Sequence, residues 1–391
     1  MKVRNIKGIA LAAVAALTLA ACGGSDDAAT DTTAAAEAGA DYSNLKVAVV
    51  YIGVPDDKGW TYQHEQGILQ LESELGIEVK RVENVPEGDE AEAVMEELAA
   101  GGYNLIFATS FGYGAPMARV AAKHPEGCFQ WATGAKFLLT ADAGGEFATF
   151  GDVPANLGTY FGAAEEARYL SGIAAGKASP SGKIGYVAAF PIPEVIRGIN
   201  AFTLGAQSVN PKVTTQAIFT GDWALPVKEA EATNSMIAQG VDVVTCHVDS
   251  PKVVMETAER AGIFCSGYHC NQSKLAPKGY LTGAEWNWER VYVDMVEAMK
   301  AGKVPGNFVR GGLKEGFVRT SAYGPAVSVA AKEKADAVKT AILSGSLSIY
   351  KGALKDNKGN VVIPAGTSYT ITEPKLESMN YLVEGVIGST S

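Results

Sequence analysis

Four stretches of this 391-residue chain join flat side chains to carboxylates or glycines at spacings suited to gripping a small planar molecule. The first is Pro55-Asp56-Asp57-Lys58-Gly59-Trp60-Thr61-Tyr62-Gln63-His64-Glu65-Gln66-Gly67. Asp57 is placed to cap a helix. Trp60, in the first turn, either packs that helix on a sheet or offers a stacking wall. In Ser110-Phe111-Gly112-Tyr113-Gly114, the glycines let backbone approach a ligand and Phe111 supplies a second flat face. In Phe190-Pro191-Ile192-Pro193-Glu194-Val195-Ile196-Arg197, two prolines stiffen a turn that aims Phe190 across a cleft. Glu194 caps the next helix or accepts an N–H from the ligand, and Arg197 can pair with it. In His247-Val248-Asp249-Ser250-Pro251, Asp249 caps a helix or bonds a ligand hydroxyl or ring nitrogen. This chemistry is binding rather than catalysis. There are four histidines, no Gly-x-Ser-x-Gly, and no nucleophile beside His64 and Asp57. No Cys-x-x-Cys or paired His spacing points to a metal, and no Gly-Lys-Ser/Thr to a nucleotide phosphate. Neither cofactor nor metal is expected.

Each stretch follows an apolar run that reads as a buried strand: Leu45–Ile52, Tyr103–Thr109, Lys183–Ala189 and Val241–His247. Each precedes a helical pattern. They are therefore strand-to-helix turns at the carboxyl ends of strands, the rim where parallel sheets bind small ligands. Strand and helix patterns alternate through 45–132, with a further extended piece at Phe147–Gly151 and a long helix over Asn156–Lys177. Within that helix, Glu165-Glu166-Ala167-Arg168-Tyr169 reads as a solvated face with internal Glu–Arg pairing. After Ala178-Ser179-Pro180-Ser181-Gly182 the alternation restarts and runs to Ser266. Trp223, Trp286 and Trp288 read as core or lobe-surface residues. The remaining pieces, including a hairpin over Ser348–Ile363, return to complete the earlier sheets.

The expected fold class is α/β: two doubly wound parallel-sheet lobes joined by a hinge of several crossings, near 152–156, 267–276 and 304–315. One lobe would hold 44–154 and 268–310, the other 155–267 and 311–391.

The net charge is −10, and residues 1–21 are basic, so the rest is more acidic still. Such a chain repels nucleic acid and anionic membrane surface. Residues 1–21 read as a cleavable leader: Lys2, Arg4 and Lys7, an apolar core, then Leu19-Ala20-Ala21-Cys22. That ending is similar to a bacterial lipobox, which would leave Cys22 as a lipidated N-terminus. Residues 22–43, rich in Ala, Asp and Thr, read as a flexible tether. Four other cysteines remain, Cys128, Cys246, Cys265 and Cys270. An exported chain can oxidise thiols, so one bridge among the last three and none at all both fit the spacing.

Together the stretches Asp57 to His64, Thr109 to Tyr113, Ala132-Thr133-Gly134-Ala135-Lys136, Phe190 to Phe202 and His247 to Pro251 resemble the basic membrane protein family. Its members are lipoproteins that serve as substrate-binding components of purine nucleoside ABC importers. The resemblance implies a type I periplasmic-binding fold and a base held between aromatic faces, with polar side chains reading its edge. It assigns aromatic roles to Trp60, Phe111 and Phe190 and an acidic role to Asp249. Asp57, Ser110, Gly112, Glu194 and Gly267 complete the expected site. After Gly267 the resemblance implies an acid, but this chain has Tyr268-His269-Cys270-Asn271, which favours a free base such as adenine over a nucleoside. The implied partners are that small-molecule ligand, ABC permease subunits and the membrane through Cys22, with a monomer as the expected state. Two other readings stand beside it: a receptor docking on a sensor, and an exported nucleoside hydrolase.

Overall fold

The computed structural model describes residues 44–139, 153–303 and 308–390. The leader, the tether with Cys22 and the expected strand Phe147–Gly151 lie outside them. The described chain begins β1 (Val47–Val50), α1 (Trp60–Leu75), β2 (Val79–Val82), α2 (Asp89–Ala100), β3 (Leu105–Ala108), α3 (Gly114–Lys123), β4 (Cys128–Ala132) and β5 (Leu157–Gly162). These strands, with β11 (Val309–Gly311), form a six-stranded sheet in the order β11-β5-β4-β3-β1-β2, parallel throughout. The continuous apolar run of β1 explains its place at the centre, since a strand covered on both faces has no polar side. Val47 and Val49 pack with α1 residues Ile68 and Leu71 on one face. Ala48 and Val50 pack with Met95 of α2 and Met117 of α3 on the other.

The second unit runs α4 (Ala164–Ala178), β6 (Lys183–Ala188), α5 (Pro193–Gln207), β7 (Thr214–Phe219), α6 (Pro226–Ala238), β8 (Val243–His247), α7 (Lys252–Ala261), β9 (Phe264–His269) and β10 (Tyr280–Trp286). After it come α8 (Trp288–Lys300), which packs on the first sheet's α1 face, then β11, β12 (Val318–Thr320) and α9 (Val329–Leu343). A C-terminal segment adds the ribbons β13 (Tyr350–Lys351) with β16 (Ser368–Tyr369) and β14 (Leu354–Lys355) with β15 (Val361–Ile363). It ends with α10 (Pro374–Glu377) and β17 (Val386–Ile387). The second sheet has the order β12-β10-β9-β8-β6-β7-β17, with β12 alone antiparallel.

Three expectations change. The long helix over 156–177 divides into β5 and α4. Thr159, Tyr160 and Phe161 favour extended backbone, and β5 is buried between β4 and β11, so sheet pairing overrides the helical pattern. The crossings move with it. The chain passes between sheets at Ala163, at Asn287 and over 312–317, not near 152–156 or 267–276, so β5 belongs with the first sheet and β9 and β10 with the second. The supposed solvated face of α4 is also inward. Glu165 and Arg168 are buried, and Glu166 accepts the Leu313 N–H at 2.7 Å on the third crossing.

The four cysteines are free and buried. Cys246 and Cys265 share one apolar cluster behind the second sheet. Burial pushes both thiols up, Cys246 to about 12 and Cys265 further, so neither carries thiolate character. A reductant should therefore leave the melting temperature unchanged, and a fall of several degrees in a dithiothreitol scan would show a bridge.

Helices α4 and α5 cross with almost no side-chain volume between them. A Cβ on Gly172 would lie 2.0 Å from the Phe202 carbonyl oxygen, and one on Gly205 2.0 Å from that of Tyr169. Alanine ordinarily stabilises a helix by about 1 kcal/mol over glycine. Here Gly172→Ala or Gly205→Ala should instead destabilise by about 2–3 kcal/mol, because backbone must part. Urea unfolding midpoints measure the sign.

Candidate functional site

All the turns that meet between the two sheets leave the carboxyl ends of parallel strands. In the first sheet the strand order reverses between β1 and β3, and in the second between β6 and β8. Such switch points open a crevice, because the turns on either side depart in opposite directions. Nine residues line the resulting cleft: Trp60 after β1, Ser110 and Phe111 after β3, Thr133 after β4, Glu194 after β6, Trp223 after β7, His247 and Asp249 at the end of β8, and His269 at the end of β9. Its void measures about 260 Å³, counting the part open to solvent.

The walls touch across the cleft. Trp60 N donates to the Asp249 carbonyl at 2.9 Å, and Ser250 Oγ donates to the Asp57 carbonyl at 2.6 Å. Gln272 Nε2 donates to the Lys58 carbonyl at 3.2 Å. The first of these contacts needs Gly59, where a Cβ would lie 1.9 Å from the Asp249 oxygen. At the opposite lip, Glu87 receives hydrogen bonds from Ser110 Oγ and Gly112 N and, at 3.3 Å, from Trp223 Nε1 of the other lobe.

Trp60 serves the core as well as the cleft. Its Nε1 donates to the Thr109 carbonyl at 2.7 Å, and its ring meets His64, His269, Trp286 and Trp288 edge to face. His64 stacks on Trp288 at 4.7 Å and bonds the Tyr292 hydroxyl through Nδ1. His269 Nε2 faces the Val248 carbonyl at 3.0 Å, and its Nδ1 accepts the Trp286 N–H at 2.9 Å. A ring that accepts at Nδ1 has its proton on Nε2 and is neutral. Burial holds His64, His247 and His269 well below the usual imidazole range.

The acids of the cleft are pushed the other way. Burial raises Glu194 to about 8 against the opposing pull of Arg197, with Glu377 and Glu87 adding to the rise. Burial also raises Asp249 well above the carboxylate range, reinforced by Asp57, Glu87, Glu194 and Asp222. At neutral pH Glu194 is therefore an O–H donor. Glu194 Oε2, Thr133 Oγ1 and His247 Nδ1 are buried and make no well-formed protein hydrogen bond, although Thr133 lies near enough to Glu194 to ease the rise of its carboxyl. Thr133 also sits at φ +74°, costly for a β-branched residue and commonest where a site needs it. Beneath His247, buried Arg168 donates to Thr245 Oγ1 and the Cys246 carbonyl and stacks 3.6 Å from the centre of the Tyr268 ring.

Of the expected site residues, Trp60, Ser110, Phe111, Glu194 and Asp249 line the cleft together, and Asp57, Gly112, Phe190 and Gly267 do not. Asp57 is spent on the start of α1, accepting from the backbone N–H of Gly59, Thr61 and Tyr62. Gly112 holds Glu87. Phe190 lies behind the wall, its ring edge-on to Trp223 at 5.2 Å. Gly267 is a packing position in β9, where a Cβ would lie 2.5 Å from Gln272 Oε1 and 2.6 Å from the Tyr280 hydroxyl. Arg197 pairs with Glu377 at 3.1 Å rather than with Glu194. Thr133, Trp223, His247 and His269, which line the cleft, and Glu87, which bridges its lip, were not among the expected site residues. The signal was available for all five, since each follows or ends a strand whose carboxyl end faces the cleft.

Residues 44–352 match the Bmp family, described as ABC transporter substrate-binding protein PnrA-like. A purine-binding protein of Brucella abortus is 38% identical over 344 residues, 88% of this chain and 93% of its own length. TsgA13 of Haloferax volcanii, provisionally named an ABC transporter glucose-binding protein, is 33% identical over 345 residues, 88% of this chain and 81% of that one. An ABC transporter solute-binding protein of Aeropyrum pernix shares the fold, with a TM-score of 0.66 at 20% identity over 80% of this chain and 93% of the other. The two-sheet architecture is thus the periplasmic-binding fold, and the chain belongs to the Bmp family of PnrA-like ABC transporter substrate-binding proteins.

Proposed function

We propose that this protein captures a purine base, or a closely related planar heterocycle, between its lobes and delivers it to an ABC permease. Lipid on Cys22 would hold it at the extracytoplasmic face of the membrane. Among the described residues no helix is long and apolar enough to cross a membrane. Binding and lobe closure suffice for this role, and no catalytic step is invoked.

The observation that carries the reading is the composition of the cleft. Trp60, Phe111 and Trp223 supply flat faces, while Glu194, Thr133 and His247 supply buried polar atoms that make no well-formed protein hydrogen bond. Each face adds about 1 kcal/mol beyond burial when a ring stacks on it. The polar atoms suit the donor and acceptor edge of a heterocycle. Among the described residues no lysine or arginine lines the cleft, so none of them compensates a phosphate, and nucleotides are disfavoured. The relative from Brucella is named for purine binding, which supports the same class.

The test is a thermal-shift and calorimetric screen with adenine, adenosine, a nucleoside monophosphate and glucose. Adenine should raise the melting temperature and the monophosphate should not. Trp223→Ala should weaken adenine at least tenfold while leaving the circular dichroism spectrum unchanged. Binding of glucose with no response to adenine would replace the purine reading by a sugar one.

A second prediction follows from the proton on Glu194. Near pH 7 its carboxyl donates to a ring nitrogen. As pH rises through about 8 the donor is lost and a charge appears in a dry site. Adenine affinity should therefore fall about tenfold between pH 7 and 9. Glu194→Gln keeps an N–H donor and should bind with little change over the same range. An equally steep loss in the Gln variant would assign the titration to another group.

A further inference from the structure

The match to the family ends at residue 352, yet the chain beyond it reaches the seam between the lobes. Glu377, at the end of α10, is 3% exposed and is held by two arginines. Its Oε2 lies 3.1 Å from Arg197 of α5, in the second lobe. Its Oε1 lies 3.0 Å from Nε of Arg310 on β11, in the first sheet. Both arginine side chains are at least 97% buried, so these pairs are little screened by solvent.

Each arginine leads to one wall of the cleft. Arg310 donates from its second terminal nitrogen to the Gly134 carbonyl at 2.7 Å, and Gly134 follows Thr133, the strained wall residue. Arg197 is one helical turn from Glu194 and also donates to the Leu376 carbonyl at 2.8 Å. The same segment grips α5 further along. Asn200 exchanges hydrogen bonds with the Tyr381 carbonyl and the Val383 N–H, and just before the segment the Tyr350 hydroxyl donates to the Arg197 carbonyl at 2.6 Å. The wall residues at the ends of both chains of contact, Thr133 and Glu194, lie close to one another, each with a buried oxygen that makes no well-formed protein hydrogen bond.

We propose that Glu377 is a positioning residue for the ligand site, its carboxylate setting Thr133 on one wall and Glu194 on the other by holding Arg310 and Arg197 together. The proposal rests on the reading of this cleft as the ligand site. It gives the segment after 352 a part in recognition, although no residue of that segment lines the cleft.

The experiment compares the full chain with Glu377→Gln and Glu377→Asp by hydrogen exchange without ligand, then by calorimetry with adenine. In the Gln variant, peptides covering 131–136 and 190–198 should exchange faster together, while those of β1 and α7 stay as in the parent. Adenine should bind at least tenfold more weakly, and the Asp variant, which keeps the charge, should recover part of the loss. Faster exchange confined to 353–390, or unchanged walls, would overturn the proposal and leave Glu377 an anchor of its own segment. If the Gln variant does not fold, the exchange of the Asp variant decides between the same outcomes. If the parent fails to bind adenine, the purine reading falls, and the exchange at the two walls still decides what Glu377 does.

Discussion

One close contact sets the rest of the molecule: the turn after β1 lies directly against the turn after β8, with the Trp60 amide bonded to the Asp249 carbonyl. It brings two separate parallel sheets into register at their carboxyl ends, and every cleft residue follows from that placement. The contact tolerates no side chain at Gly59 and leaves both Trp60 and Asp249 facing the same narrow space. A few backbone bonds are modest on their own, each about 1 kcal/mol net. They matter because they form only when the lobes are together, so they favour the closed arrangement without fixing what lies inside it.

The fold was legible in the sequence because its strongest signals are local and repeated. Apolar runs such as Val47–Val50 and Leu105–Ala108 alternate with helical patterns and glycine stops, and only a parallel sheet satisfies that alternation. The helix expected over 156–177 failed where tertiary pairing outweighed propensity: β5 fills a gap between β4 and β11, strands far apart in sequence. About half the site was legible for a related reason. Strand-end turns are visible locally, which is why Trp60, Ser110, Phe111, Glu194 and Asp249 could be expected to line one cleft. Which of several aromatic residues reaches the cleft is decided by packing, and Trp223 stands in front of Phe190 for that reason. Glu377 left no local trace, because its partners lie 67 and 180 positions away.

The charge distribution separates two tasks. Buried charge is gathered at the seam, where Arg197 and Arg310 share Glu377. A buried pair of this kind adds little net stability over an apolar substitute, but removing one member costs about 3–5 kcal/mol, so it fixes geometry more than it stabilises. Among the described residues the cleft has no cation in its lining; burial holds its two histidines well below the usual imidazole range, His269 being hydrogen-bonded to Trp286 and His247 keeping an unpartnered Nδ1. The site thus meets a ligand with uncharged donors and acceptors, which discriminate by geometry rather than by net charge.

That separation links closure to protons. In water a glutamate or aspartate ionises near pH 4. In the closed cleft burial pushes both Asp249 and Glu194 above the carboxylate range, Glu194 to about 8, so that Glu194 retains its proton at neutral pH. Opening the lobes would hydrate both groups and release protons, and closing would take them up. A ligand enters this balance through its own hydrogens. An N–H placed against either carboxyl stabilises the ionised form and lowers the proton requirement of closure, whereas a ring nitrogen with a lone pair accepts the carboxyl proton and raises it. A heterocycle that offers both along one edge can match both groups without a formal charge crossing into the cleft. A ligand offering only acceptors, or carrying a phosphate, would leave buried groups unsatisfied at a cost of about 1–3 kcal/mol each.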